Sequence, residues 1–143
     1  MAISTDGGPP RKITDMFISE GSFSPDGKRI VYDSFVKERQ GDLFRRQMVV
    51  VDAETGKPVL PMIPWQDGFA LRWAPTGDAL VYVKELEGVG NLWRQPLDGS
   101  APRRITDFPA QLIFFYDWSP DGKQIYFARG QFTSDMVLIS DFH

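Results

Sequence analysis

The chain has no cysteine. Disulfides, thiolate zinc sites and a cysteine nucleophile are therefore excluded. Its one histidine is His143, the last residue. A Ser-His-Asp triad needs an oriented imidazole between nucleophile and acid, and a chain-terminal residue is seldom so held. One histidine also supplies only one metal ligand. No charge sign dominates: 16 Lys and Arg against 19 Asp and Glu leave a net charge of −3. With a pI near 5.1, there is no basic stripe of the kind nucleic acid requires. Apolar runs such as Val49-Val50-Val51 and 112–116 are far too short to span a membrane. No basic stretch leads into an apolar one near residue 1, so no secretory signal is expected within these residues. Helical periodicity is missing over any useful length. The 143 residues suggest one domain, and what they hold in quantity is 13 Gly, 11 Pro and 13% aromatics.

These residues recur in order. Phe23-Ser24-Pro25-Asp26-Gly27-Lys28-Arg29-Ile30-Val31-Tyr32 superimposes on Trp73-Ala74-Pro75-Thr76-Gly77-Asp78-Ala79-Leu80-Val81-Tyr82. A third copy runs Trp118-Ser119-Pro120-Asp121-Gly122-Lys123-Gln124-Ile125-Tyr126-Phe127. The copies are 50 and 45 positions apart. A second element alternates with the first: Asp6-Gly7-Gly8 leading to Arg11-Lys12-Ile13-Thr14 matches Asp98-Gly99-Ser100 leading to Arg103-Arg104-Ile105-Thr106. A degenerate copy lies at 54–59.

The first element has the chemistry of a hairpin. Proline pre-sets φ at the second turn position, Asp tolerates the third, and Gly closes the turn. A β-branched and aromatic run then begins the return strand. Asp26 and Asp121 read as turn residues, because the middle copy puts Thr76 there and keeps the turn. Strands are expected at 19–23, 29–35, 46–52 and 57–60, at 68–73, 79–84, 91–97 and 102–105, and at 112–118, 124–129 and 135–140. Repeats of this length with four strands each are the signature of propeller blades. The fold class is all-β: four-stranded antiparallel blades over 19–60, 68–105 and 112–140. An orphan outer strand at 11–14 is expected to complete the last blade. Phe23, Trp73 and Trp118, and likewise Tyr32, Tyr82 and Tyr126, are expected in the blade core.

The order Ile-Thr, aromatic-Ser-Pro-Asp-Gly-Lys hairpin, then strand and Asp-Gly-Gly resembles the TolB-type propeller repeats, related in shape to WD-type repeats, over about 3–142. The segment 130–142 is similar to the last strand of sensor propellers attached to bacterial serine/threonine kinases and winged-helix regulators. That resemblance implies the terminal half of a six-bladed ring, a sensing or docking role, and a periplasmic or extracytoplasmic setting as part of a receptor. Three blades would leave two apolar end faces, an association site. A homodimer completing six blades is the expected assembly; missing blades on a parent chain are the alternative.

Functional residues should be those that break the repeat. The longest connection between second and third strands carries Arg39, Arg45 and Arg46, which suit a carboxylate or phosphate, although a solvated loop explains them too. Trp65, between Pro64 and polar residues, is read either as an exposed anchor or as a blade cap. The run 108–116 reads as blade core or as cover for a dimer seam. The resemblance places Arg39, Arg45, Trp65, Asp67, Glu85, Glu87, Arg129 and Gln131 on one face at the channel mouth. The function expected is a non-catalytic binding module that presents these loops to a protein, peptide or small ligand, with no cofactor, metal, nucleic acid or membrane insertion. The alternatives are a hydrolase or lyase using acids and a channel-bound cation, with Asp67, Glu85 and Glu87 as candidate carboxylates, and a self-assembling scaffold. Propeller-linked peptidases, by the same resemblance, carry their triad on a separate hydrolase domain.

Overall fold

The proline-glycine turns set the frame. In the computed structural model, which describes residues 6–37, 44–65 and 68–133, Gly27, Gly77 and Gly122 have φ of 70°, 70° and 69°. Side chains rarely adopt that conformation. Each glycine N–H donates to the carbonyl of Ser24, Ala74 or Ser119 at 2.8 Å. Ser24 Oγ donates to Asp26 Oδ1 and Ser119 Oγ to Asp121 Oδ1, both at 2.6 Å. The Lys28 and Lys123 amides reach the same oxygens at 3.1 Å. These serine and backbone bonds hold both carboxyls below the usual range. The two aspartates are turn residues.

Among the described residues ten strands run between the turns: β1 (Ile18–Phe23), β2 (Arg29–Lys37), β3 (Phe44–Asp52), β4 (Ile63–Pro64), β5 (Gly68–Trp73), β6 (Ala79–Leu86), β7 (Val89–Pro96), β8 (Arg103–Arg104), β9 (Leu112–Trp118) and β10 (Ile125–Gly130). They pair antiparallel in the sheet orders β1-β2-β3-β4, β5-β6-β7-β8 and β10-β9. No helix occurs among the described residues. The expected third strand of the last blade, 135–140, lies outside them.

The outer strands differ from expectation. At 57–60 pairing with the third strand shrinks to the Pro58–Val51 bridge, in which the Asp52 amide donates to Lys57 O and the Val59 amide to Val50 O. The chain then leaves the sheet and pairs again at Ile63–Pro64. Proline has no N–H, so Pro58, Pro61 and Pro64 forbid a continuous ladder. Residues 11–14 hold one bridge residue, Arg11, and the blade strand they are expected to complete, 135–140, lies outside the described residues. Arg11 donates from Nη2 to Ala53 O at 2.5 Å and from Nη1 to Glu54 O, and Ile13 packs on Tyr32, Val49 and Val51.

Blades stack through their two faces, and strand alternation decides which residue serves which face. Val31, Met48 and Val50 of the first blade meet Leu71, Trp73, Leu80 and Tyr82 of the second. Val81, Val83 and Leu92 of the second meet Ile113 and Tyr116 of the third, with Trp118 and Ile125 alongside. The repeat aromatic therefore packs backward, onto the blade before it. Trp73 is 4% exposed and donates from Nε1 to Ser22 O at 3.1 Å. Arg29 of the first blade covers its ring at 4.7 Å.

This polarity corrects two core expectations. Phe23 is 58% exposed, because no blade precedes its own among the described residues. Tyr126 is 55% exposed, because it is not the equivalent of Tyr32 and Tyr82. Counting from the aromatic, their equivalent is Phe127, which stacks on Phe108 at 5.1 Å. Tyr126 holds the forward-facing position of Val31 and Val81.

Candidate binding groove along the inner strands

The inner strands lie against one another, β1 on β5 and β5 on β9. One position in them, just before the repeat aromatic, carries a different polar group in each blade. Phe23, Trp73 and Trp118 keep an aromatic, but the residue before each is Ser22, Arg72 or Asp117. All three line a groove of about 380 Å³ that crosses the three blades, walled by the turn prolines and by Trp73 and Trp118.

The groove is chemically mixed. Arg72 Nη1 donates to Leu71 O at 2.9 Å and stands 3.9 Å from Glu20 Oε2. Glu20 Oε1 accepts from the Leu71 amide at 3.0 Å, which ties the first inner strand to the second. Asp117 Oδ1 accepts from the Trp118 amide at 2.8 Å. Ser22 Oγ and Trp118 Nε1 are shielded and have no protein partner. A guanidinium, a carboxylate and indole faces in one row suit the carbonyls, amides and side chains of an extended peptide. Acid-base chemistry has no support at the nearby phenol. Tyr116 is fully buried, its hydroxyl donates to Val81 O at 2.7 Å, and burial pushes its pKa far up. Sequence reading missed Glu20, Arg72 and Asp117. Little in the sequence signals them, because the repeat begins at Phe23, Trp73 and Trp118 and the residues before it, Gly21-Ser22, Leu71-Arg72 and Tyr116-Asp117, already differ.

The residues singled out from the sequence fall into three groups. Arg39 and Asp67 lie outside the described residues. Arg46 and Trp65 are built into the framework. Trp65 is 3% exposed, packed between the first two blades, edge-on to Tyr82 at 5.9 Å and beneath Arg46 at 4.4 Å. A Cβ at Gly68 would stand 2.0 Å from Trp65 Nε1, so only glycine fits there. This is the blade-capping alternative. Arg46 Nη2 donates to Asp33 Oδ2 and Nη1 to Gly68 O, at 2.8 and 2.9 Å.

Arg45, Glu85, Glu87, Arg129 and Gln131 form the third group, at the end of the blades opposite the proline-glycine turns. Arg45, Glu85, Glu87 and Gln131 are exposed. Glu87 and Gly88, with φ of 52° and 78°, make the two-residue turn between β6 and β7, which suits a type I′ hairpin. Arg129 is engaged, stacked 3.7 Å over Phe108 and donating to Ala110 O at 2.5 Å. No group of three or more Asp, Glu, His or Cys residues able to hold a metal ion occurs among the described residues. None of their helices is long and apolar enough to cross a membrane.

Antiparallel four-stranded blades stacked by a backward-facing aromatic define a segment of a β-propeller. Comparison with solved structures places it more closely: it superimposes on a TolB protein from Agrobacterium tumefaciens with a TM-score of 0.64 and 26% identity, covering 87% of this chain and 43% of that one. The chain is a TolB-like β-propeller segment of three blades. Two curated proteins also match. An uncharacterized peptidase of Bacillus subtilis, YuxL, is 27% identical over 113 residues, 76% of this chain. Dipeptidyl-peptidase 5 of Porphyromonas endodontalis is 29% identical over 135 residues, 91% of this chain. The chain spans only 16% and 18% of their lengths. No family model matches.

Proposed function

We propose that this chain is a non-catalytic, polypeptide-binding segment of a propeller, and that the inner-strand groove holds an extended chain. The single observation that carries this reading is the row Ser22, Arg72 and Asp117, which places a hydroxyl, a guanidinium and a carboxylate along one groove between two tryptophans. Rigid blades hold the row at fixed spacing, which lowers the ordering cost of binding. The exposed loop-end residues Arg45, Glu85, Glu87 and Gln131 are the alternative surface for the same task.

The peptidase names of both curated relatives favour a second reading, in which the bound chain is a substrate and hydrolysis is performed by the larger protein. Both readings require the chain to bind polypeptide without cleaving it, which is tested with fluorescently labelled, unfolded casein. Anisotropy is expected to report binding, the label is expected to stay intact with or without calcium, and Arg72→Ala is expected to weaken binding roughly tenfold, about 1.4 kcal/mol. Cleavage by the purified chain contradicts the non-catalytic reading. Binding unchanged in Arg72→Ala contradicts the groove.

A further inference from the structure

The blade-to-blade contact repeats in detail, and among the described residues half of it is unused on the first blade and half on the third. Pro25 of the first turn lies against Gly77 of the second: a Cβ on Gly77 would stand 3.8 Å from Pro25 Cδ. Pro75 of the second turn lies against Gly122 of the third, where a Cβ would stand 2.6 Å from Pro75 Cβ. The proline of each turn thus presses on the glycine of the next. Among the described residues Pro120 is exposed and no turn glycine of a further blade lies against it, and a Cβ on Gly27 would meet nothing within 4 Å.

The same polarity governs the larger side chains. Trp73 and Trp118 reach backward onto a preceding blade, whereas Phe23 is exposed. Val31 and Val81 are fully buried beneath a following blade, whereas Tyr126 and its ring neighbour Phe115 are exposed. Ile13 already covers the outer half of the backward face of blade one, at Tyr32, Val49 and Val51. What stays open there is the inner half at Phe23.

The forward end, with Pro120, Phe115 and Tyr126, is therefore the counterpart of the backward end, with Gly27 and Phe23. The occupant with the matching pattern is this chain itself. We infer that a second copy closes the ring head to tail, with blade three of each copy stacked on blade one of the other. Two-fold symmetry then makes both seams identical and leaves no apolar end. The groove along the inner strands would run on across each seam. This inference rests on the interblade contact and not on peptide binding, so the two readings fail separately.

Light scattering behind size exclusion, across a wide dilution series, is expected to give a constant mass of twice 16.2 kDa. Phe23→Glu and Tyr126→Lys are each expected to give 16.2 kDa alone. Mixed in equal amounts they are expected to recover the doubled mass, since the mixed ring keeps one unaltered seam and sets acid against base at the other. Met62→Glu, on the exposed outer rim, is expected to leave the mass unchanged. A wild-type chain monomeric at every concentration overturns the inference. So does an open ladder of higher masses, or a mixture that stays at 16.2 kDa.

Discussion

Truncating Trp73 to alanine is expected to cost about 3–5 kcal/mol of unfolding free energy, the range for removing a buried aromatic. Three losses combine at this residue. Its ring fills the contact between the first two blades beside Leu71, Leu80 and Met48. Its indole N–H satisfies the Ser22 carbonyl across that contact. The Arg29 guanidinium loses the ring beneath it, although its Nη2 keeps the Gly77 carbonyl at 2.9 Å. Trp73→Phe should recover most of the packing but not the hydrogen bond, and so fall between the two. Urea unfolding checks the order. Near-wild-type stability in Trp73→Ala would mean that the blades do not depend on one another through this residue.

Loss of Arg46 is the second large effect expected, again about 3–5 kcal/mol for Arg46→Met, because it strands a buried carboxylate. Asp33 is fully buried between the first two blades. Burial pushes its carboxyl up, but Arg46, the Ser19 hydroxyl and the Ser19 and Glu20 amides all donate to it, and together they hold its pKa below the ordinary 3.8. A lowered carboxyl contributes stability that is present above 3.8 and is lost as pH falls through its folded value. Wild-type stability is therefore expected to drop in acid below that point. In Arg46→Met the main counterweight to burial is gone, so the acid-induced loss from this group should shrink or change sign. Asp33→Ala combined with Arg46→Met should recover part of the cost, since the stranded charge goes with its partner. Urea titrations at neutral and acid pH read Arg46→Met, Asp33→Ala and the double variant. An additive double variant would contradict a coupled pair.

Turn chemistry made the blade count legible. Proline, Asp or Thr, and glycine at fixed offsets specify the conformation that Gly27, Gly77 and Gly122 adopt, and that information is local. The outer strands were less legible, because Pro58, Pro61 and Pro64 act through the ladder bonds they withhold from β3. Face assignment failed at Phe23 and Tyr126 for a physical reason. Alternation places a residue on a face of its own sheet, but burial needs the blade that faces it. A one-residue offset in counting then put Tyr126 on the wrong side. Trp65 could be read from the sequence as an exposed anchor or as a blade cap, and it is buried because Arg46, Tyr82 and Gly68 converge on it from other strands. Arg72 and Asp117 stand just outside the repeated element, where the copies already differ. Only the side-by-side inner strands show that they share one groove.

The most direct test is the amide and indole NMR spectrum of the labelled chain, titrated with a short unlabelled casein peptide. Binding in the groove predicts shifts concentrated at Ser22, Arg72 and Asp117 and at the indole N–H signals of Trp73 and Trp118. Shifts confined to Glu85, Glu87 and Gln131 at the opposite end of the blades, or a spectrum that does not move, would contradict it.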